Sequence, residues 1–176
     1  MTDQNEVEDL VKDIAQELKD LLAQRGISNP VMIGIHSGGV WIAEKLHRQL
    51  GIQQELGTLD ISFYRDDFTR IGMNPQVKPT NLPFSIDDQD IILVDDVLHT
   101  GRTIRAAMNE LFDYGRPASI FLAVLVERSG RELPIAASVV GKQLDLDTNE
   151  HVKLVGPEPL QLVIQQGTNT QSKAGA

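Results

Sequence analysis

The sequence contains no cysteine. That absence excludes disulfides, thiolate-bound zinc, iron-sulfur clusters and cysteine nucleophiles, and it agrees with a reducing compartment. Aromatic residues are few, 5% of 176 with one Trp, two Tyr and five Phe, so no stacking platform for single-stranded nucleic acid is evident. Basic residues are outnumbered. Sixteen Lys plus Arg against 25 Asp plus Glu leave a formal net charge of -9, which opposes undirected binding to nucleic acid or an anionic membrane. Long apolar runs are missing too: Ile120 to Val126 comes nearest, against the roughly 18 residues of a membrane span. The acidic start, MTDQNEVEDLVKDIAQEL, has neither the basic head nor the apolar stretch of a secretory signal. The expectation is a cytoplasmic protein whose mature chain begins here. Neither a Walker lysine loop nor a G-x-G-x-x-G turn occurs, which argues against an ATPase or an NAD enzyme.

What is present fits one globular domain, with 41% hydrophobic and 23% charged residues able to form a core. We expect a single domain over residues 1–166 and a polar, disordered tail over 167–176. Val7, Leu10, Val11, Ile14, Leu18, Leu21 and Leu22 recur at helical spacing. Asn5 and Glu8 resemble a capping box, and Gly26 suits the helix end. Val31 to Ile35 reads as a buried strand, followed by the turn His36-Ser37-Gly38-Gly39 and a helix reaching Leu50. Leu59, Ile61 and Phe63 alternate with polar residues, predicting a half-exposed strand that ends near Tyr64-Arg65-Asp66-Asp67. From 68 to 90 periodicity disappears and prolines accumulate, which predicts a long loop acting as a flexible lid.

Ile91 to Val94 is apolar at every position, the pattern of a central strand covered on both faces, and it is expected to stop at Asp95-Asp96. Thr103 is the expected start of the next helix, and Gly115 with Pro117 its end. Further strands are predicted over Ile120 to Val126, Ser138 to Gly141 and Val152 to Val155, with Leu160, Leu162 and Ile164 alternating in a small C-terminal strand region. Strands alternating with helices predict an α/β fold with a mostly parallel sheet flanked by helices. Ligands of such sheets gather beyond the carboxyl ends of the strands.

The segment Ile91 to Thr103 therefore carries the strongest chemical signal. A buried strand delivers Asp95 and Asp96 to its end, and Thr100-Gly101-Arg102-Thr103 offers hydroxyls, a glycine-adjusted backbone and a helix N-terminus suited to a phosphate. The paired acids suit sugar hydroxyls, which donate to carboxylates, or a magnesium ion shared with a second phosphate group. Alone, the acidic pair fits a metal-binding corner or an exposed strand end equally well. With the threonine loop attached, a phosphorylated sugar satisfies both halves.

These thirteen residues resemble the phosphoribosyl pyrophosphate (PRPP) signature of type I phosphoribosyltransferases. Tyr64-Arg65-Asp66-Asp67, Arg105-Ala106-Ala107-Met108, Gly115-Arg116-Pro117, Arg131 to Ile135 and Gly141-Lys142 are similar to the PyrR-type members. Those are uracil phosphoribosyltransferases that in some bacteria also regulate pyrimidine operons by binding messenger RNA. The resemblance covers about residues 5 to 165 and implies the type I phosphoribosyltransferase fold.

It also implies roles. Asp95 and Asp96 would act as the catalytic carboxylates on the ribose hydroxyls, and Thr100, Gly101, Arg102 and Thr103 would wrap the 5-phosphate. His36, Ser37, Gly38 and Gly39 would form the diphosphate loop. Arg65, Val97, Leu98, His99, Arg128 and Val152 would lie against substrate or nucleotide. Magnesium would arrive with PRPP, near Asp95 and Asp96, with no direct protein cage. The reaction implied is displacement of diphosphate from the ribose anomeric carbon by a uracil nitrogen, giving UMP. Relatives usually carry Lys-Thr-Arg-Gly, or a similar turn with arginine, where this chain has His36-Ser37-Gly38-Gly39, so backbone amides would have to replace part of the lost side-chain charge.

The resemblance further implies a homodimer or larger homo-oligomer. A receptor that senses UMP and PRPP and binds RNA is the alternative reading. It is disfavoured because residues 1–25 hold three basic against seven acidic side chains, and because Glu127-Arg128-Ser129-Gly130-Arg131 lacks the histidine that regulatory relatives often carry before the second arginine. A purine-type enzyme is a further alternative. His36, His47, His99 and His151 show no metal-ligand spacing, Trp41 is assigned to core packing or an oligomer contact, and Arg65 and Arg128 are favoured over other arginines because they follow strand ends.

Overall fold

The computed structural model describes residues 4–61 and 80–167. Helix α1 (Gln4–Arg25) is followed by β1 (Val31–Ile35), α2 (Gly38–Leu50), β2 (Gly57–Leu59), β3 (Asp90–Leu98), α3 (Arg102–Tyr114), β4 (Ser119–Arg128), β5 (Val139–Leu144), β6 (Glu150–Val155) and β7 (Gln161–Gln166). The first five strands form one sheet in the order β2-β1-β3-β4-β5. All its pairings are parallel. β6 and β7 form a separate antiparallel hairpin.

The pleat of the central strand sorts its side chains between two cores, as a period of two requires. Ile92 and Val94 face a core shared with Val11, Ile14 and Leu18 of α1, Ile42 and Leu46 of α2, and Leu154 and Leu162 of the hairpin. Ile91 and Leu93 face the other way, onto Ile104, Ala107 and Leu111 of α3 and onto Ile86. Each such buried aliphatic side chain contributes about 2 kcal/mol. Helix α2 lies unusually close to β1, because a Cβ on Gly34 would meet the Val40 Cα at 2.8 Å. α1 and α2 both end in a glycine with a left-handed backbone: Ile27 N–H donates to Leu22 O and Ile52 N–H to His47 O, so both helices are closed by the Schellman pattern.

Several boundaries differ from expectation. α1 begins at Gln4, so Asn5 lies inside the helix rather than ahead of it as the expected cap residue. Glu8 instead pairs with Lys45 at 2.6 Å and Glu6 with Lys142 at 2.5 Å, which tie α1 to α2 and β5. β3 does not stop at Asp95-Asp96 but continues to Leu98, because β4 supplies partners that far: Asp95 opposes Val124 and Leu98 opposes Glu127. Gly101, not Thr103, precedes α3 as its cap residue. The expected strand residues Phe63 to Asp67, including Arg65, the loop as far as 79, and the tail from 168 lie outside the described residues. Residues 80–89, part of the expected lid, are packed onto the body. Asn81 and Thr58 exchange two backbone hydrogen bonds of 2.8 and 2.9 Å, and Ile86 is 2% exposed.

Candidate active site

Parallel sheets of this kind bind ligands where the strand order reverses. Here that point lies between β1 and β3, since the chain runs from β1 outward to β2 and then returns to β3 on the other side. Beyond the carboxyl ends of these two strands lie His36 to Gly39 and the segment from Asp95 onward. The two groups are in direct contact. A Cβ on Gly38 would fall 2.3 Å from Asp96 Oδ2, and one on Gly39 would fall 2.6 Å from Val94 O and 3.2 Å from Asp95 Oδ1. Both glycines are buried, and they are the first two residues of α2 rather than a free turn. The first turn of α2 thus rests on the acidic pair, where its dipole favours a carboxylate.

Asp95 and Asp96 differ in environment. Asp95 is 1% exposed, and its Oδ1 accepts the Asp96 N–H at 2.9 Å. Asp96 is half-buried, and its Oδ1 accepts the Val97 N–H at 2.9 Å. The buried carboxylate braces the strand, and the less buried one lies against Gly38 at the start of α2. Neither Ser37 nor Gly101 caps its helix with a side chain; apart from the Arg102 N–H, which Thr100 Oγ1 accepts, the first amides of α2 and α3 suit an anion.

The loop Thr100-Gly101-Arg102-Thr103 connects β3 to α3 and is held from outside by one short segment. Glu132 N–H and Leu133 N–H both donate to Thr100 O at 3.0 Å, and Arg131 donates to His99 O. Ile135 lies 3.1 Å from where a Cβ on Gly101 would be, at a φ of +95° that side chains rarely adopt. Thr100 Oγ1 accepts the Arg102 N–H at 3.2 Å. The Arg102 guanidinium is turned to Glu132 at 2.9 Å on the exposed side.

Comparison with known proteins matches nearly the whole chain. Residues 1–159 match the phosphoribosyl transferase domain family. The bifunctional protein PyrR of Nitrosococcus oceani is 61% identical over 161 residues, which is 90% of this chain and 91% of that protein. The chain belongs to the phosphoribosyltransferase family, PyrR type. The PyrR protein of Pseudomonas aeruginosa is 60% identical over 154 residues, 88% of this chain and 91% of its own. The hypoxanthine phosphoribosyltransferase of Trypanosoma cruzi shares the fold, with a TM-score of 0.64, 22% identity and coverage of 85% and 81% of the two chains.

Other residues singled out in the sequence of this phosphoribosyltransferase take varied places. Leu98 is 1% exposed in the α3-side core, so only its main chain is open to a ligand. Val97 packs against the α1-side core, as does Val152 in β6. Trp41 packs there too, under the Gly156 turn, in line with a core role. Arg128 is 6% exposed. Its guanidinium donates to Ser129 O at 3.1 Å, Glu150 O at 2.5 Å and Asp147 O at 3.4 Å. It therefore clasps the β5–β6 connection, with three of its five N–H groups used on backbone carbonyls. Next to it a cleft of about 450 Å³ opens at the carboxyl ends of β4 and β5, lined by Glu127, Gly130, Arg131, Gln143 and Asp145 among others. That volume is within the range of small-ligand sites. Gln143 and Asp145 line this cleft without having been singled out in the sequence; their one signal was position, at or just past the end of β5.

His99 is half-buried under the 129–131 turn, with its Nε2 2.9 Å from where a Cβ on Gly130 would be. Burial first, and then the Arg128 charge, hold its pKa below the usual 6.5, against a smaller opposing pull from Glu132. The imidazole is thus neutral at neutral pH. Protons bind more readily to the unfolded chain, so stability present above pH 6.5 is lost as pH falls below that value. His99→Gln should flatten the decline in melting temperature between pH 6.5 and the folded-state pKa. Parallel curves for the two proteins in a pH series of thermal melts would refute this role.

Proposed function

We propose that this chain is a uracil phosphoribosyltransferase, forming UMP and diphosphate from uracil and PRPP in the cytoplasm as a homodimer or larger homo-oligomer. One observation carries the reading: the first turn of α2 lies against Asp96 at the switch point, adjoining the threonine loop that begins α3. The arrangement supports a divided task. Amides around Thr100 to Thr103 hold the 5-phosphate, and Asp95 and Asp96 accept hydrogen bonds from the ribose hydroxyls. His36 to Gly39, with the amides of the α2 start, meet the diphosphate.

The bond from the anomeric carbon to the diphosphate oxygen breaks as a uracil nitrogen attacks; the leaving diphosphate takes the electron pair, and the proton of that nitrogen passes to the diphosphate or to water. Positive charge grows on the ribose while negative charge grows on the diphosphate. Asp96 is the carboxylate placed to stabilise the first, and helix dipoles and amides the second. Bringing the reactants together in one cleft supplies the rest of the acceleration.

Phosphoribosyltransferases use magnesium with PRPP. A magnesium ion carried in on phosphate oxygens and water would have Asp95 and Asp96 as the protein carboxylates beside it. The ion would neutralise charge on the diphosphate.

The test offers PRPP with uracil, hypoxanthine and guanine in parallel and follows diphosphate release. Uracil should give UMP, and Asp96→Asn should lower kcat roughly 10²-fold with the fold intact. No product with uracil would overturn the reading, and a purine nucleotide in its place would reassign the base. The relatives' name, bifunctional protein PyrR, favours a second reading, in which the site serves as a receptor coupled to RNA. A salt-dependent gel shift with a pyrimidine-operon leader would support it.

A further inference from the structure

Phosphate loops work by aiming amides. In a trans peptide the C=O of one residue and the N–H of the next point in opposite directions, so fixing a carbonyl fixes the amide behind it. The bonds from His99 to Thr100 and from Thr100 to Gly101 are trans. Both carbonyls are tied to the 131–133 segment, His99 O by the Arg131 guanidinium and Thr100 O by the Glu132 and Leu133 amides at 3.0 Å. The Thr100 and Gly101 amides therefore face away from that segment, and neither donates to an acceptor among the described residues.

Of these ties, only the one from Arg131 is made by a side chain. The guanidinium is itself held, since Arg131 also pairs with Glu127 at the end of β4, a partner that is 22% exposed. Gly130, at a φ of +107°, supplies the bend that returns the chain from β4 to this position. Arg131 thus joins a rigid strand end to the first carbonyl of the loop.

Resting on the phosphate-site reading above, we infer that Arg131, seated on Glu127, is a positioning residue that holds the Thr100 amide toward the 5-phosphate without touching the ligand itself. It raises affinity by removing the cost of ordering the loop when the anion binds. The effect belongs to the phosphate end of the substrate only. The diphosphate meets a different element, the start of α2, which Arg131 does not contact.

The experiment compares wild type, Arg131→Met and Arg131→Lys by calorimetric titration with two separate probes, ribose 5-phosphate and inorganic pyrophosphate, alongside kcat and KM for PRPP. Arg131→Met should weaken ribose 5-phosphate about tenfold and raise KM for PRPP about tenfold. Its pyrophosphate affinity should be unchanged and its kcat within about threefold of wild type. Arg131→Lys, able to reach His99 O or Glu127 but not to bridge both well, should lie between. Were the Met variant unfolded, the Lys variant would decide by the same contrast between probes. Equal losses for both probes, or unchanged ribose 5-phosphate binding in a folded variant, would overturn the inference alone. Wild type that fails to bind ribose 5-phosphate would overturn the phosphate-site reading and this inference with it.

Discussion

Adding one methyl group at Gly39 should destabilise the protein by about 3 kcal/mol, whereas the same change at Gly38 should leave the fold and remove activity. The two glycines are adjacent, but their Cβ positions meet different things. At Gly39 the new carbon would sit 2.6 Å from Val94 O and 3.0 Å from Asp95 Cα, which are main-chain atoms of β3. That strand is paired on both sides, to β1 and to β4, and cannot retreat without breaking both ladders. The clash must push α2 away from the sheet instead, an overpacking cost near the top of the usual range. For a chain of this size the melting temperature should fall by about 10 °C.

At Gly38 the nearest atoms are Asp96 Oδ2 at 2.3 Å and Asp96 Cγ at 2.7 Å, the end of a rotatable side chain. The carboxylate can swing aside at little cost to stability, but it then leaves the place proposed for holding the ribose. Gly38→Ala should melt within about 3 °C of wild type, and phosphoribosyl transfer should drop roughly 10²-fold, as for loss of the carboxylate. Calorimetric melts and initial rates on both variants separate these outcomes. Active Gly38→Ala protein would mean that Asp96 need not occupy its observed place.

The second large effect concerns Arg128, which the resemblance placed beside the nucleotide. Arg128→Met should lower the unfolding free energy by about 2 kcal/mol, because it strips three partly buried hydrogen bonds from the carbonyls of Ser129, Asp147 and Glu150. Methionine fills much of the volume but satisfies none of those acceptors. Loss of the clasp frees the β5–β6 connection, which Ser129 also holds through its hydroxyl bond to Leu146 O at 3.0 Å. Urea unfolding gives the number directly. A change below about 0.5 kcal/mol, as for an exposed arginine, joined to a large rise in KM, would return Arg128 to substrate contact.

The contrast between Arg128 and Arg131 shows where reading the sequence ended. Arg128 ends β4 and Arg131 follows three positions later, and nothing in Glu127-Arg128-Ser129-Gly130-Arg131 says which guanidinium turns inward. The choice depends on where distant carbonyls lie. Arg128 finds those of residues 147 and 150, whereas Arg131 finds His99 O because Gly130 bends the chain. Helix starts went the same way. The local pattern of Asn5 and Glu8 suggested a cap, but Glu6 and Glu8 are engaged by Lys142 and Lys45 from other elements.

The amino-acid sequence by itself determined that β3 would be central, because an all-apolar run is stable only when both faces are covered. It also determined that a phosphate-type loop and a helix would follow the acidic pair, because threonines, a glycine and a helix start are local chemistry. Tertiary structure alone decided that β3 runs through the acids to Leu98, since strand length depends on a partner's ladder. It alone set the first turn of α2 against Asp96, and it alone made the 131–133 segment the support of the loop. Contacts between residues dozens of positions apart depend on how elements pack, and packing is a property of the whole chain rather than of any segment.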